Sequence, residues 1–188
     1  MAARYEGRIE HNNDSIHALF KTQYYTYQFG RVVRRTLLGV ALIAAALFAG
    51  LPIWAEAILL AIGCWMLVGR DFPATYRAEE AIDARKGVLP ITTCSFSAGH
   101  AEIQEGGVSK KLRYDQFQKL VQDKDYLYLF LGEESIVMID REKVEPGTDA
   151  ELMEFIEKKT GKKWEARLSL LTMNLHDLLR MTRKKRGK

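Results

Sequence analysis

Thr36-Leu-Leu-Gly-Val-Ala-Leu-Ile-Ala-Ala-Ala-Leu-Phe-Ala49 and Ala57-Ile-Leu-Leu-Ala-Ile-Gly-Cys-Trp-Met-Leu-Val68, joined by Gly50-Leu-Pro-Ile-Trp-Ala-Glu56, are the two apolar runs that decide how this chain can fold. A helix rises 1.5 Å per residue, so about 20 apolar residues cross a hydrocarbon layer ~30 Å thick. The first run reaches that length if it continues through residues 51–55. The second, counted from Pro52 to Val68, holds 17 residues, the lower edge of the range, and carries Glu56 near its start. Neither run contains an internal charge. A buried helical hairpin in a soluble protein would show a polar stripe, and these runs show none.

The flanks orient the pair. Arg31, Arg34 and Arg35 precede the first run, Arg70 follows the second, and the connecting loop has no Lys or Arg. That asymmetry predicts a multi-pass protein of the cytoplasmic (inner) membrane with both termini cytoplasmic and the 50–56 loop outside. Tyr24, Tyr25, Tyr27, Phe29, Trp54, Phe72 and Tyr76 stand where interfacial aromatics are expected.

The 188 residues leave room for one ordinary domain beside the hairpin. The net charge of +4 is unevenly held. From Lys162 onward there are nine Lys and Arg against Glu165 and Asp177, about +7, which leaves about −3 for the rest. No cleavable signal peptide is visible, because the apolar runs come too late and are too long. Cys64 and Cys94 suggest no disulfide framework and fit a reducing interior. His11, His17, His100 and His176 are scattered without metal-site spacing.

Before the hairpin, residues 4–10 alternate weakly and could form a short edge strand. Asn12-Asn-Asp-Ser15 is a cluster of helix-capping residues, and Ile16, Leu19, Phe20, Gln23, Tyr24 and Tyr27 then recur at helical steps. This amphipathic helix is expected to feed into the first spanning helix without a clear break. After the hairpin, Pro73 is expected to interrupt the chain near the membrane surface, followed by a mixed-charge helix ended by Gly87. Its Glu79, Glu80 and Asp83 read as a solvated face.

From Leu89 the periodicity turns to alternation. Strands are predicted over residues 91–97, 100–105, 108–114, 117–123, 126–131 and 135–139, with Gly106-Gly107 as a hairpin turn. Pro146-Gly-Thr-Asp149 starts a helix whose apolar stripe is Leu152, Met153, Phe155 and Ile156, and Gly161 ends it. A compact antiparallel sheet or partly closed barrel capped by one C-terminal helix is the arrangement of pleckstrin-homology-like domains. The expected fold class is therefore an α+β membrane protein, a two-helix transmembrane hairpin plus a small antiparallel β domain. The segments are 1–31 with the amphipathic helix, 32–69 the hairpin, 70–88 a linker helix, 89–161 the cytosolic β domain, and 162–188 a basic amphipathic tail.

The order of a polar N-terminal segment, two apolar helices, strands reading Cys94-Ser-Phe-Ser, Tyr114-Asp-Gln-Phe117, Tyr126-Leu-Tyr-Leu-Phe130 and Ile136-Val-Met-Ile139-Asp-Arg141, and a Leu152-Met-Glu-Phe-Ile156 helix resembles the YcxB-like family of bacterial membrane proteins. The resemblance covers most of residues 1–165. It implies an inner-membrane protein with a cytosolic pleckstrin-homology-like domain, and brings no catalytic residue with it.

In the tail, Leu168, Leu171, Leu175, Leu178 and Leu179 share a helical face, and Arg180, Arg183, Lys184, Lys185, Arg186 and Lys188 follow or overlap it. Beside a membrane such a cluster is drawn to anionic headgroups by about 1 kcal/mol per Lys or Arg. No aromatics interleave it, which argues against nucleic acid. The expected membrane-surface contacts are Arg31, Arg34, Arg35, Arg70, Arg180, Arg183, Lys184, Lys185 and Arg186. No phosphate loop, nucleophile elbow or paired metal-binding His is present, so neither an enzyme nor a cofactor is expected. The leading functional reading is a membrane-anchored interaction or scaffold module binding an unknown protein, a peptide or a lipid headgroup. The alternative is a small transporter or channel, a homo-oligomer of hairpins packed through Gly39, Gly50 and Gly63, with Glu56 as its carboxylate.

Overall fold

The structure is a computed structural model that describes residues 4–86 and 88–167. It is an α+β chain of two compact units, one formed by Glu10–Pro90 and the other by the sequence on either side of it. The expected helix of the basic tail, with Arg180, Arg183, Lys184, Lys185 and Arg186, lies outside the described residues, as does Gly87.

The helical unit begins where the capping residues predict. Asn12 Oδ1 accepts from Ser15 N (2.7 Å) and Ser15 Oγ accepts from Asn12 N (2.8 Å), a reciprocal box that satisfies two orphan donors at the start of α1 (Asn13–Tyr27). The expected smooth passage into the next helix is corrected. Gln28 leaves helical geometry at φ −117°, ψ 24°, and α2 (Phe29–Phe48) starts anew beyond it.

The connecting loop is shorter than expected. Gly50 at φ +62° allows the reversal, and Pro52 precedes α3 (Ile53–Val68), so Trp54 and Glu56 are helical. The first helix therefore does not extend through residues 51–55, and the uncharged part of α2, residues 36–48, is about 20 Å long at 1.5 Å per residue. Pro73 does not interrupt the chain either. A 3-10 turn (Gly69–Asp71) joins α3 to α4 (Phe72–Ala84), and proline in the first turn of α4 has no hydrogen bond to lose. Among the described residues one helix, Ile53–Ala84, is long and apolar enough to cross a membrane. α2 carries Arg31, Arg34 and Arg35 in its first two turns, and these three charges leave its apolar part too short.

α2 and α3 cross at two glycines. A Cβ on Gly63 would stand 2.9 Å from the Gly39 carbonyl oxygen and 2.7 Å from Ile43 Cγ1, and one on Gly39 would stand 3.1 Å from the Gly63 carbonyl oxygen. The backbones approach this closely because neither residue has a side chain. α1 packs along α4, where Tyr24, Tyr25, Val32 and Ala74 form a small buried cluster and Ala78 is fully covered.

The second unit holds nine described strands in two sheets, β1 (Tyr5–Glu10), β2 (Ile91–Phe96), β3 (Ala101–Glu105), β4 (Val108–Leu112), β5 (Lys119–Gln122), β6 (Tyr126–Phe130), β7 (Ile136–Asp140), β8 (Val144–Glu145) and β9 (Trp164–Ala166), and α5 (Asp149–Thr160). The orders are β4-β3-β2-β1-β8 and β7-β6-β5-β9. The six strands expected from alternation are present, and Gly106 and Gly107, at φ +57° and +83°, make the predicted hairpin between β3 and β4.

Three expectations are corrected here. β1 is an interior strand between β2 and β8, not an edge. Residues 164–166 belong to the second sheet and not to a tail. They lie parallel to β5, Leu120 opposite Trp164, so that sheet is not purely antiparallel. Two- and three-residue strands such as β8 and β9 have no periodicity to read, and only pairing creates them.

α5 is capped at both ends as its sequence requires. Thr148 and Glu151 form the N-terminal box, and Gly161 takes the left-handed conformation at φ +69°. Leu152, Phe155 and Ile156 enter one core with Cys94, Phe96, Leu112, Tyr114, Phe117, Leu120, Leu127, Leu129 and Ile139. Phe155 is its aromatic centre, tilted against Tyr5 at 5.3 Å and edge-on to Tyr114 at 6.0 Å.

Candidate membrane interface and polar clusters

The four arginines expected at a membrane surface stand in different surroundings. Arg31 is exposed and donates to Gln28 Oε1 at 2.8 Å. Arg70 is 23 % exposed and lies 3.8 Å from Asp71. Arg35 is half-buried with its guanidinium 5.4 Å from the centre of the Trp65 ring, and Arg34 is exposed. Neither Arg34 nor Arg35 meets a carboxylate among the described residues. α2 has no acidic residue, and spacings of three and four put Arg31, Arg34 and Arg35 on neighbouring positions at a helix start, where like charges repel and the dipole disfavours cations.

Asp71 gathers its own group, which sequence reading missed. Lys21 Nζ is 2.9 Å away, the Tyr25 hydroxyl donates to its Oδ1, and Arg70 approaches from the chain side. Burial, then the hydrogen bond to that carboxylate, pushes Tyr25 up to about 12. This cluster ties α1 to the segment leaving α3. The helical spacing of Lys21 and Tyr25, four apart, was a visible signal of their shared face; their common partner 46 residues later was not.

The apolar surface of α2 and α3 is outward. Phe48 is 85 % exposed, Ile53 83 %, Val68 86 % and Trp65 68 %, and Leu37, Leu38, Val40, Leu47, Ile58 and Ile62 are exposed too. Glu56 is in the first turn of α3, half-buried, and its side chain has no hydrogen bond or ion pair to any described residue. Gly39 and Gly63 are used inside this hairpin, and Gly50 is in the turn with open space around it. Exposed aromatics continue into α4 with Phe72 and Tyr76.

In the β unit, Arg141 and Arg167 converge on Asp123. Its Oδ1 accepts from Asp125 N (2.9 Å) and Tyr126 N (2.8 Å), and its Oδ2 accepts from the Tyr128 hydroxyl (2.7 Å) and Arg167 Nη1 (3.4 Å). Arg141 Nη1 donates to the Asp123 carbonyl (2.8 Å), while its Nε and Nη2 reach Asp149 Oδ2 at 2.7 and 2.6 Å. With so many acceptor positions filled by protein donors, the group fastens the β5–β6 turn, β9 and the start of α5 together. The sequence signal was the Asx-type turn at Asp123; the two arginines came from far along the chain. Elsewhere Tyr114 donates to the Ser97 carbonyl at 2.6 Å, tying the 3-10 turn Tyr114–Gln116 to the end of β2. Burial pushes this phenol up to about 12.

Residues 96–156 match the family model described as YcxB-like protein, from the end of β2 to the last apolar residue of α5. No curated protein and no solved structure matches the chain. The match is narrower than the resemblance read from the sequence and leaves the helical unit outside it. The part of this chain from Phe96 to Ile156, most of the core built around Phe155 and Tyr114, is thus similar to the YcxB-like family.

Proposed function

We propose that the chain is a membrane-tethered interaction module, held in the cytoplasmic membrane by the α2–α3 hairpin with both termini cytosolic. The observation that carries this is the outward apolar surface of both helices, where large side chains such as Leu37, Phe48, Ile53, Trp65 and Val68 are 65 to 86 % exposed. Water would leave such a surface open to aggregation, whereas lipid removes it from water. The short uncharged part of α2 is accommodated by local thinning of the bilayer and by arginine stems running along the helix to the headgroups. Trp54 at the far turn and Trp65, Phe72 and Tyr76 at the near end stand at the two expected interfaces.

The β unit is the interaction domain and has a pleckstrin-homology-like arrangement, two small sheets with a C-terminal helix over their shared core. It takes a protein, a peptide or a lipid headgroup, and tethering raises its effective concentration toward membrane partners. Binding and not catalysis is the reading, since both carboxylate oxygens of half-buried Asp123 already accept hydrogen bonds from its own chain. Reporter enzymes fused to either end of the full chain test the anchor. Both are expected to report a cytoplasmic position, and carbonate-washed membranes are expected to retain the protein. Ends in opposite compartments, or release by carbonate, would overturn the reading.

A further inference from the structure

We propose that Arg34 and Arg35, beside Trp65, form a site for the phosphodiester of one anionic phospholipid, while Arg31 and Arg70 serve the protein itself. This rests on the hairpin being embedded in lipid. The separation comes from the side-chain partners already present, a counter-charge for Arg70 and a neutral hydrogen bond for Arg31. Arg70 lies beside Asp71 and Arg31 is engaged by Gln28, but Arg34 and Arg35 have no carboxylate among the described residues, and α2 supplies none of its own.

Arg35 is also held in place. Its guanidinium lies over the indole of Trp65, and a Cβ placed on Gly69 would be 3.5 Å from its Nη2, so the head group lies at the end of α3. A stacked guanidinium is oriented by the ring and keeps its outer N–H edge available, the geometry that pairs with two oxygens of a phosphate. Arg34 is exposed on the next helical position, which faces away from Arg35, so its long side chain adds a second positive charge beside the headgroup and not a second ligand to the same oxygens. An anion there also relieves the repulsion among three arginines spaced three and four apart. A phospholipid fits better than free phosphate because the exposed Trp65 ring beside the guanidinium, with exposed Val68 one turn further along the same helix, offers its acyl chains an apolar wall.

Native mass spectrometry of the full-length protein released from neutral detergent tests this, with phosphatidylglycerol, phosphatidylcholine and inorganic phosphate as probes. The unaltered protein is expected to retain phosphatidylglycerol in preference to phosphatidylcholine. R34Q/R35Q should weaken that retention about thirtyfold, from two charges near the surface. R31Q should change it less than about twofold, and R34K/R35K, which keeps both charges and controls for folding, should bind more tightly than R34Q/R35Q. Undiminished retention by R34Q/R35Q, equal retention of phosphatidylcholine, or displacement of the lipid by millimolar inorganic phosphate would each overturn the proposal. A carbonate wash of the same membranes tells the two failures apart: release of the unaltered protein sinks the anchor itself, and retention with no lipid preference sinks only the arginine site.

Discussion

Gly63 shows how a single missing side chain sets the geometry of the helical unit. Alanine there would press a methyl group against the Gly39 carbonyl and Ile43, so Gly63→Ala is expected to destabilise the hairpin by about 1–3 kcal/mol, read as a lowered melting temperature in detergent. Gly30 is the control. It lies in α2 with no atom of the described residues within 4 Å of where a Cβ would stand and no left-handed φ, so Gly30→Ala is expected to be neutral or to stabilise by up to about 1 kcal/mol. At Tyr114, removal of the hydroxyl in Tyr114→Phe gives up a buried hydrogen bond and is expected to cost about 1–2 kcal/mol in a denaturant titration.

The titration of this core has a definite sign. Burial pushes the Cys94 thiol from 9.0 to about 12 and the Tyr114 phenol from 10.0 to about 12. The folded state thus favours both neutral forms. Their contribution is fully present below pH 9 for the thiol and below pH 10 for the phenol, and is lost as pH rises toward about 12. Stability measured between pH 9 and 12 is expected to fall, and Cys94→Ala should flatten the lower part of that fall while leaving the part due to Tyr114.

At the level of elements, helix ends were the most legible features and helix lengths the least. The Asn12–Ser15 box, the Thr148–Glu151 box and Gly161 are local hydrogen-bonding solutions spelled by two to four residues, so they could be read without a partner. Thr148→Ala is expected to cost about 1 kcal/mol through the lost cap at Glu151 N, measurable as a shift in thermal midpoint. The break at Gln28, the early start of α3 and the passage across Pro73 escaped reading because hydropathy averages over windows longer than the turns that interrupt them. β8 and β9 escaped for the converse reason, being too short for alternation and existing only through Val144 opposite Gly7 and Trp164 opposite Leu120.

Across the whole molecule, the helical unit is an insertion in a β unit. β1 precedes it and β2 follows it, yet the two strands are neighbours, with Arg4 N donating to the Phe96 carbonyl at 2.8 Å and His11 N to the Pro90 carbonyl at 3.2 Å. Replacing residues 11–90 by a short Gly-rich turn is therefore expected to leave a β unit that folds on its own. A single cooperative melt and a monomeric elution volume without detergent would be the sign of it; an aggregated or unfolded product would show that the helices complete the β core.

What the sequence determined by itself was local or additive: two apolar runs flanked by arginines, a change from helical to alternating periodicity near Leu89, and the caps and glycine turns between elements. These follow from side-chain chemistry within a few residues of the chain. The tertiary structure alone decided that the first strand is interior, that Trp164–Ala166 completes a sheet, that Gly39 meets Gly63, and that, among the described residues, Arg70 has a counter-charge while Arg34 and Arg35 do not. Each of those depends on residues tens of positions apart coming within a few ångströms, and distance in space is the one quantity that composition and periodicity do not carry.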